Sequence, residues 1–200
     1  MTTYAFPSVI PNNSTWTLSS NTQAFISPLN GVTQTLEMPG ASWKATLSFS
    51  NLTNDDRREF MSFLVKLRGS SGRFYLHDHS HVSPRGIATG TPLVNGASQT
   101  GASLITDGWT ISQTNILRAG DYIEVNDELK MVVADVNSDG SGNATLTIEP
   151  PLRASPGENA AITVSEPKAI MRLTDDDQAT AQTNLFGFSN FSISCVESFT

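Results

Sequence analysis

The sequence predicts a mainly β fold with one packed α-helix: a β-sandwich or sheet-plus-helix domain into which a small β-barrel is inserted. Three observations carry this. Ala41, Trp43, Ala45, Leu47 and Phe49 alternate with small polar residues, as in a strand with one buried face. A single later stretch, about 53–68, has helical periodicity. Short alternating runs separated by turn residues fill 109–173, and a Phe-rich alternating run follows near the end of the chain.

In chain order, residues 1–40 carry Pro7, Pro11, Pro28 and Pro39 with Asn12-Asn13 and Asn30-Gly31. This is turn chemistry, and it predicts a meander of short extended pieces at Ser14–Ser20 and Gln23–Ile26. Asn30-Gly31 reads as a two-residue hairpin turn leading into Val32–Met38. After the Trp43 strand, Thr53 or Asn54 supplies an N-cap, and Asp55 and Asp56 meet the positive end of the helix dipole. Phe60, Phe63, Leu64 and Leu67 form the apolar stripe, and Gly69 is the expected left-handed cap. Arg73–Leu76 follows as a strand. A lone amphipathic helix between two strands buries its stripe by lying across a sheet.

Residues 83–110 are rich in Gly, Ala, Ser and Thr and read as a loop-rich boundary. Strands are expected at Trp109–Ser112, Ile116–Leu117, Asp121–Val125, Glu128–Val136 and Ala144–Glu149, where Pro150-Pro151 end the run; Ala161–Val164 and Ala169–Leu173 then close the set. Asn126-Asp127 and the polar segment 137–143 are the turns. The alternating run Leu185–Val196 has no evident partner within this barrel, whereas the first sheet has room for another strand. The expected organisation is therefore one domain from 1–83 plus 173–200, and an inserted barrel at 84–172.

A net charge of −7 with scattered basic residues argues against nucleic-acid backbone binding as the main role. No apolar run approaches the roughly 20 residues that span a bilayer, and the N-terminal residues lack the regions of a signal peptide. The lone Cys195 forms no intrachain disulfide and reads as a buried, inert thiol.

Candidate chemistry is sparse. His77, His79 and His81 share one face if they alternate along a strand, a residue type zinc uses, but alternate positions are about 7 Å apart and no cysteines support a site. Asp135, Asn137, Asp139 and Gly140 open like a calcium loop, yet Leu146 stands where a bidentate Glu belongs, so a hairpin turn is the simpler reading. Asp175, Asp176 and Asp177 read as a solvated turn. No nucleophile elbow or phosphate loop occurs. Catalytic, cofactor and metal residues are accordingly set at none.

Trp43-Lys44-Ala45-Thr46-Leu47-Ser48-Phe49, the helix through Phe60-Met61-Ser62-Phe63-Leu64, and Gly72-Arg73-Phe74-Tyr75-Leu76 resemble, in that order, the distal tail proteins of long-tailed (siphovirus-like) bacteriophages and prophages. Leu117–Val125, continuing into Leu129–Val133, is similar to the second domain of those members in which it is a small OB-type barrel. The resemblance implies a virion structural protein made in the bacterial cytoplasm. It implies a hexameric ring at the tail tip that joins the tail tube protein to the hub or baseplate and its fibre or receptor-binding proteins, with a lumen for DNA. Competing readings are a monomeric carbohydrate- or peptide-binding β module, another tail-tube or tail-completion ring protein, and a metal-dependent enzyme using the three histidines.

Overall fold

The computed structural model describes residues 2–199 and is mainly β, with a larger mixed sheet and a nearly closed, barrel-like six-stranded sheet. The larger sheet contains β1 (Thr3–Ala5), β2 (Asn13–Ile26), β3 (Thr33–Leu52), β4 (Arg73–His77), β11 (Lys168–Leu173), β12 (Gln182–Thr183) and β13 (Ser189–Glu197). Its order is β1-β4-β11-β13-β3-β2, with β12 also on β13. The second contains β5 (Gly90–Val94), β6 (Gly101–Trp109), β7 (Tyr122–Val125), β8 (Glu128–Val132), β9 (Ala144–Leu152) and β10 (Ile162–Thr163), in the order β10-β7-β8-β9-β6-β5. Its ends approach closure where Val94 N–H donates to Ala160 C=O (2.9 Å).

The helix, α1, spans Asn54–Leu67, with Thr53 as N-cap accepting from Asp56 N–H. Phe60, Phe63, Leu64 and Leu67 are buried as expected, and Phe60 packs on Phe49 (4.5 Å between centroids) and Phe191 (5.1 Å). The left-handed cap is Arg68 (φ 54°) rather than Gly69 alone; Gly69 continues at φ 68°. Glycine is required there for a second reason. A Cβ on Gly69 would come within 2.5 Å of the Asp176 carboxylate.

Several elements differ from expectation. The strand at 168–173, expected to close the barrel, lies in the larger sheet between β4 and β13. The 83–110 segment holds two strands, β5 and β6. Along β6 the inward positions are Leu104, Thr106 and Trp109, and the buried Thr106 hydroxyl donates to Ala144 C=O and accepts from Trp109 Nε1–H. β9 continues through Pro150 and Pro151, which lie where its register with β6 shifts; a proline without an N–H is tolerated at such an irregularity. Beyond β8, Leu117 and Val136 form only an isolated bridge.

The two sheets share packing. Trp43 of β3 donates its indole N–H to Leu129 C=O (3.0 Å) and meets Tyr122 edge-on (5.4 Å). Arg153, just past β9, forms a two-pronged pair with Glu197 of β13 (2.8 and 2.7 Å) and donates to Ala41 C=O (2.8 Å). Glu197 also accepts Trp43 N–H. Beneath this, the fully buried Lys130 ammonium pairs with Glu128 (2.5 Å) and donates to Pro151 C=O.

Candidate assembly interface

The most unusual part of the molecule is the outer half of the β2–β3 hairpin. Over Asn13–Ser19 and Ser42–Ser48, β2 lies beside β3 on the body of the sheet, with Ser14, Trp16 and Leu18 half-buried. Beyond Ser20 the two strands continue as a free arm, paired from Asn21↔Met38 to Ile26↔Thr33. The expectation of short pieces with a two-residue turn is corrected here: the strands are continuous, and Ser27 and Val32 bracket a loop made by Pro28-Leu29-Asn30-Gly31.

Pro39 does not break β3. It sits in a bulge where Ser20 alone faces Pro39-Gly40-Ala41, and its carbonyl accepts from the Asn21 side chain (2.9 Å). Its missing N–H therefore falls where the ladder is already interrupted. Gly40, at φ 112°, takes the backbone through the bulge.

On the arm, alternate residues face opposite ways, yet neither face is covered. Phe25 and Leu36 lie diagonally across one face and are more than 60% exposed; Ile26 on the other face is as open, and Leu29 at the tip is 96% exposed. No Asp, Glu, Lys or Arg occurs before Glu37, although charged residues make up 16% of the chain. Edge strands are normally protected by lysine or other charge, and interface cores are depleted of charge. This charge-free run was the signal available in the sequence, and reading the prolines as breaks hid it.

A second apolar projection lies at the other end of β3. The run expected as strand from Leu185 begins only at Ser189, which pairs with Leu52. Residues 184–188 form a turn built by Asn184, whose side-chain oxygen accepts from Phe186 N–H and Phe188 N–H (both 3.0 Å). Leu185 and Phe186 are thereby held outward at 97% and 85% exposure.

The remaining candidates are occupied within the fold or fail to converge. β4 ends at His77, so the three histidines do not line one face. The His77 and His79 rings lie 4.3 Å apart and tilted by 34°, while His81 turns away to Asp78 (3.0 Å) and the Tyr122 ring. Among the described residues, no three His, Cys, Asp or Glu side chains are placed to hold one metal ion. The first two rings line a cleft of about 540 Å³ with Phe6, Tyr75, Glu166 and Lys168. Burial holds both below the ordinary histidine value of 6.5, and His79 Nδ1 is buried without a partner.

Asp139 accepts from Ser141 N–H, Asn143 N–H and Asn143 Nδ2, as a turn-former does. Asp135 accepts from Ala119 N–H, and Asn137 from Asn115 N–H. Asp176 ties Ser70 through its N–H and hydroxyl. Cys195 is buried against Ala45 C=O, and desolvation pushes its thiol up to about 12. Comparison with protein-family models and with curated proteins returned no match.

Proposed function

We propose that this chain is a structural ring subunit of a long-tailed phage or prophage tail tip. It joins the tail tube to the hub and its receptor-binding parts, most economically as a hexamer around a lumen for DNA. The observation that carries this reading is the uncovered hairpin arm, whose only charged residue is Glu37 near its base. It leaves the body with both faces and its outer edges uncovered, the form of a segment that adds to a neighbour's sheet. The packing order that resembles the distal tail family supports it, and a net charge of −7 suits a channel that must not retain DNA.

The barrel, in this reading, is a docking platform for fibres rather than a sugar reader. Sugar sites present aromatic faces to solvent, whereas its Trp109 and Tyr122 are 3% and 6% exposed. Sedimentation over a wide concentration range with negative-stain imaging tests the reading. A closed ring with an open centre is the expected species. A strict monomer that remains monomeric with purified tail tube and hub proteins would overturn it.

A further inference from the structure

Going beyond the ring reading and independent of it, we infer that Arg153 is a clamp through which the barrel sets the direction of the hairpin arm. β13 pairs with β3 only as far as Val196↔Lys44. Further out, side chains take over from the backbone of β13. Trp43 N–H donates to the Glu197 carboxylate (3.0 Å), and Ala41 C=O accepts from the Arg153 guanidinium (2.8 Å). Beyond Ala41 the body lets go: among the described residues, the hydrogen bonds of 21–40 all stay within the hairpin.

The point of release coincides with a hinge. Next to the clamp lies the bulge in which Ser20 alone faces Pro39-Gly40-Ala41, and a bulge bends its strand and interrupts the ladder. Only the Asn21 side chain comes within 4 Å of where a Cβ on Gly40 would stand, so neighbours do not wedge the backbone there. On the barrel side, a cleft of about 700 Å³ separates Glu37 and Pro39 from Pro150, Leu152 and Phe199. The arm has room to swing toward the barrel, and the bond from Arg153 opposes that swing. The clamp itself is fixed to the barrel. Arg153 N–H and Ala154 N–H donate to the Glu128 carboxylate (3.2 and 3.1 Å), which pairs with the fully buried Lys130 ammonium. The guanidinium lies over the Phe199 ring at 3.8 Å and forks onto Glu197. One preorganised planar group therefore docks the barrel and aims the arm. A displacement of the barrel that withdraws Arg153 frees the arm to turn about the bulge.

Pulsed electron–electron distance measurement between nitroxides tests this in the full chain, diluted with unlabelled chain so that only distances within one copy are read. The native Cys195 is 1% exposed and takes no label. Thr35→Cys with Thr147→Cys spans arm and barrel, and Lys44→Cys with Thr147→Cys spans body and barrel; all three positions are exposed. With Arg153 intact, each pair should give one narrow distribution. Arg153→Lys keeps a cation for Glu197 but lacks the fork that reaches both carboxylate oxygens and Ala41 C=O at once. It should widen the arm–barrel distribution at least about twofold and leave the body–barrel pair unchanged. The double variant Arg153→Met, Glu197→Gln removes the clamp without stranding a buried charge, and should widen the arm–barrel pair as much. An arm–barrel distribution that stays narrow and centred in both variants overturns the inference, as does an intact chain already as broad as the variants. Equal broadening of both pairs overturns it too, since Arg153 would then dock the barrel without aiming the arm.

Discussion

Removing the Arg153 guanidinium should be among the most damaging changes outside the apolar core. Arg153→Ala leaves the Glu197 carboxylate, 5% exposed, with only the Trp43 N–H to satisfy it. It also strips the hydrogen bond to Ala41 C=O and the stacking of the guanidinium on Phe199 at 3.8 Å. Breaking one side of a buried pair costs about 3–5 kcal/mol. Because the Arg153 side chain keeps 22% exposure, the lower end applies, about 3 kcal/mol. For a chain of this size that is a fall in Tm of roughly 6–12 °C. Urea unfolding followed by tryptophan fluorescence reads it directly, since Trp43 sits between the two sheets. Glu197→Gln and the double variant complete a cycle whose coupling should be about 2 kcal/mol. A loss below about 1 kcal/mol, or no coupling, would refute the idea that this pair joins the barrel to the larger sheet.

The other predictions concern separate parts of the molecule. Replacing residues 21–38 by a two-residue Asn-Gly turn should change unfolding stability by less than about 1 kcal/mol, because those residues bury little, while removing concentration-dependent association in sedimentation. The His77 and His79 values are lowered by burial, so the unfolded chain binds more protons. Their contribution is full above 6.5 and is lost as the pH falls below it. A His77→Gln, His79→Gln variant should flatten that part of a pH–stability curve measured by denaturant titration. Thr53→Ala should cost about 1 kcal/mol through loss of the α1 cap, and Leu64→Ala about 2–5 kcal/mol; matching losses, or the reverse order, in chemical denaturation would decide whether α1 is held mainly by its stripe.

What was legible in the sequence followed from local physics. The helix was readable because its cap, dipole charges and apolar stripe coincide in one short stretch, and the Asn126-Asp127 turn because both residues take positive φ readily. The Phe-rich terminal strand was readable by elimination and alternation, and it pairs with β3 as a member of the larger sheet. β11 was misread because consecutive Ala169, Ile170 and Met171 are all buried. This is the mark of a strand covered on both sides, and it does not say which sheet covers it. β6 was hidden by Thr106, a polar residue at an inward position whose hydroxyl is satisfied inside the barrel. The arm was hidden for the opposite reason. A strand pair exposed on both faces has no buried side to impose a pattern, so only the missing charge marked it. The Asn184 turn looked like strand because Phe186 and Phe188 alternate with each other, although they fall one position out of phase with the buried Phe191, Ile193 and Cys195 of β13.

The place of β13 has a consequence for biosynthesis. It lies between β11 and β3, so β3 waits for its inner neighbour until nearly 140 further residues have been added. At about 5–20 residues per second that is on the order of 7–30 s. During this interval the nascent chain presents a long strand whose outer neighbour, β2, is already available but whose inner edge is open. The early β2–β3 hairpin is then a provisional guard for a strand that would otherwise meet other nascent copies. A chain stopped before Ser189 would lack the strand that closes the middle of the sheet, and its natural fate is aggregation rather than a smaller fold.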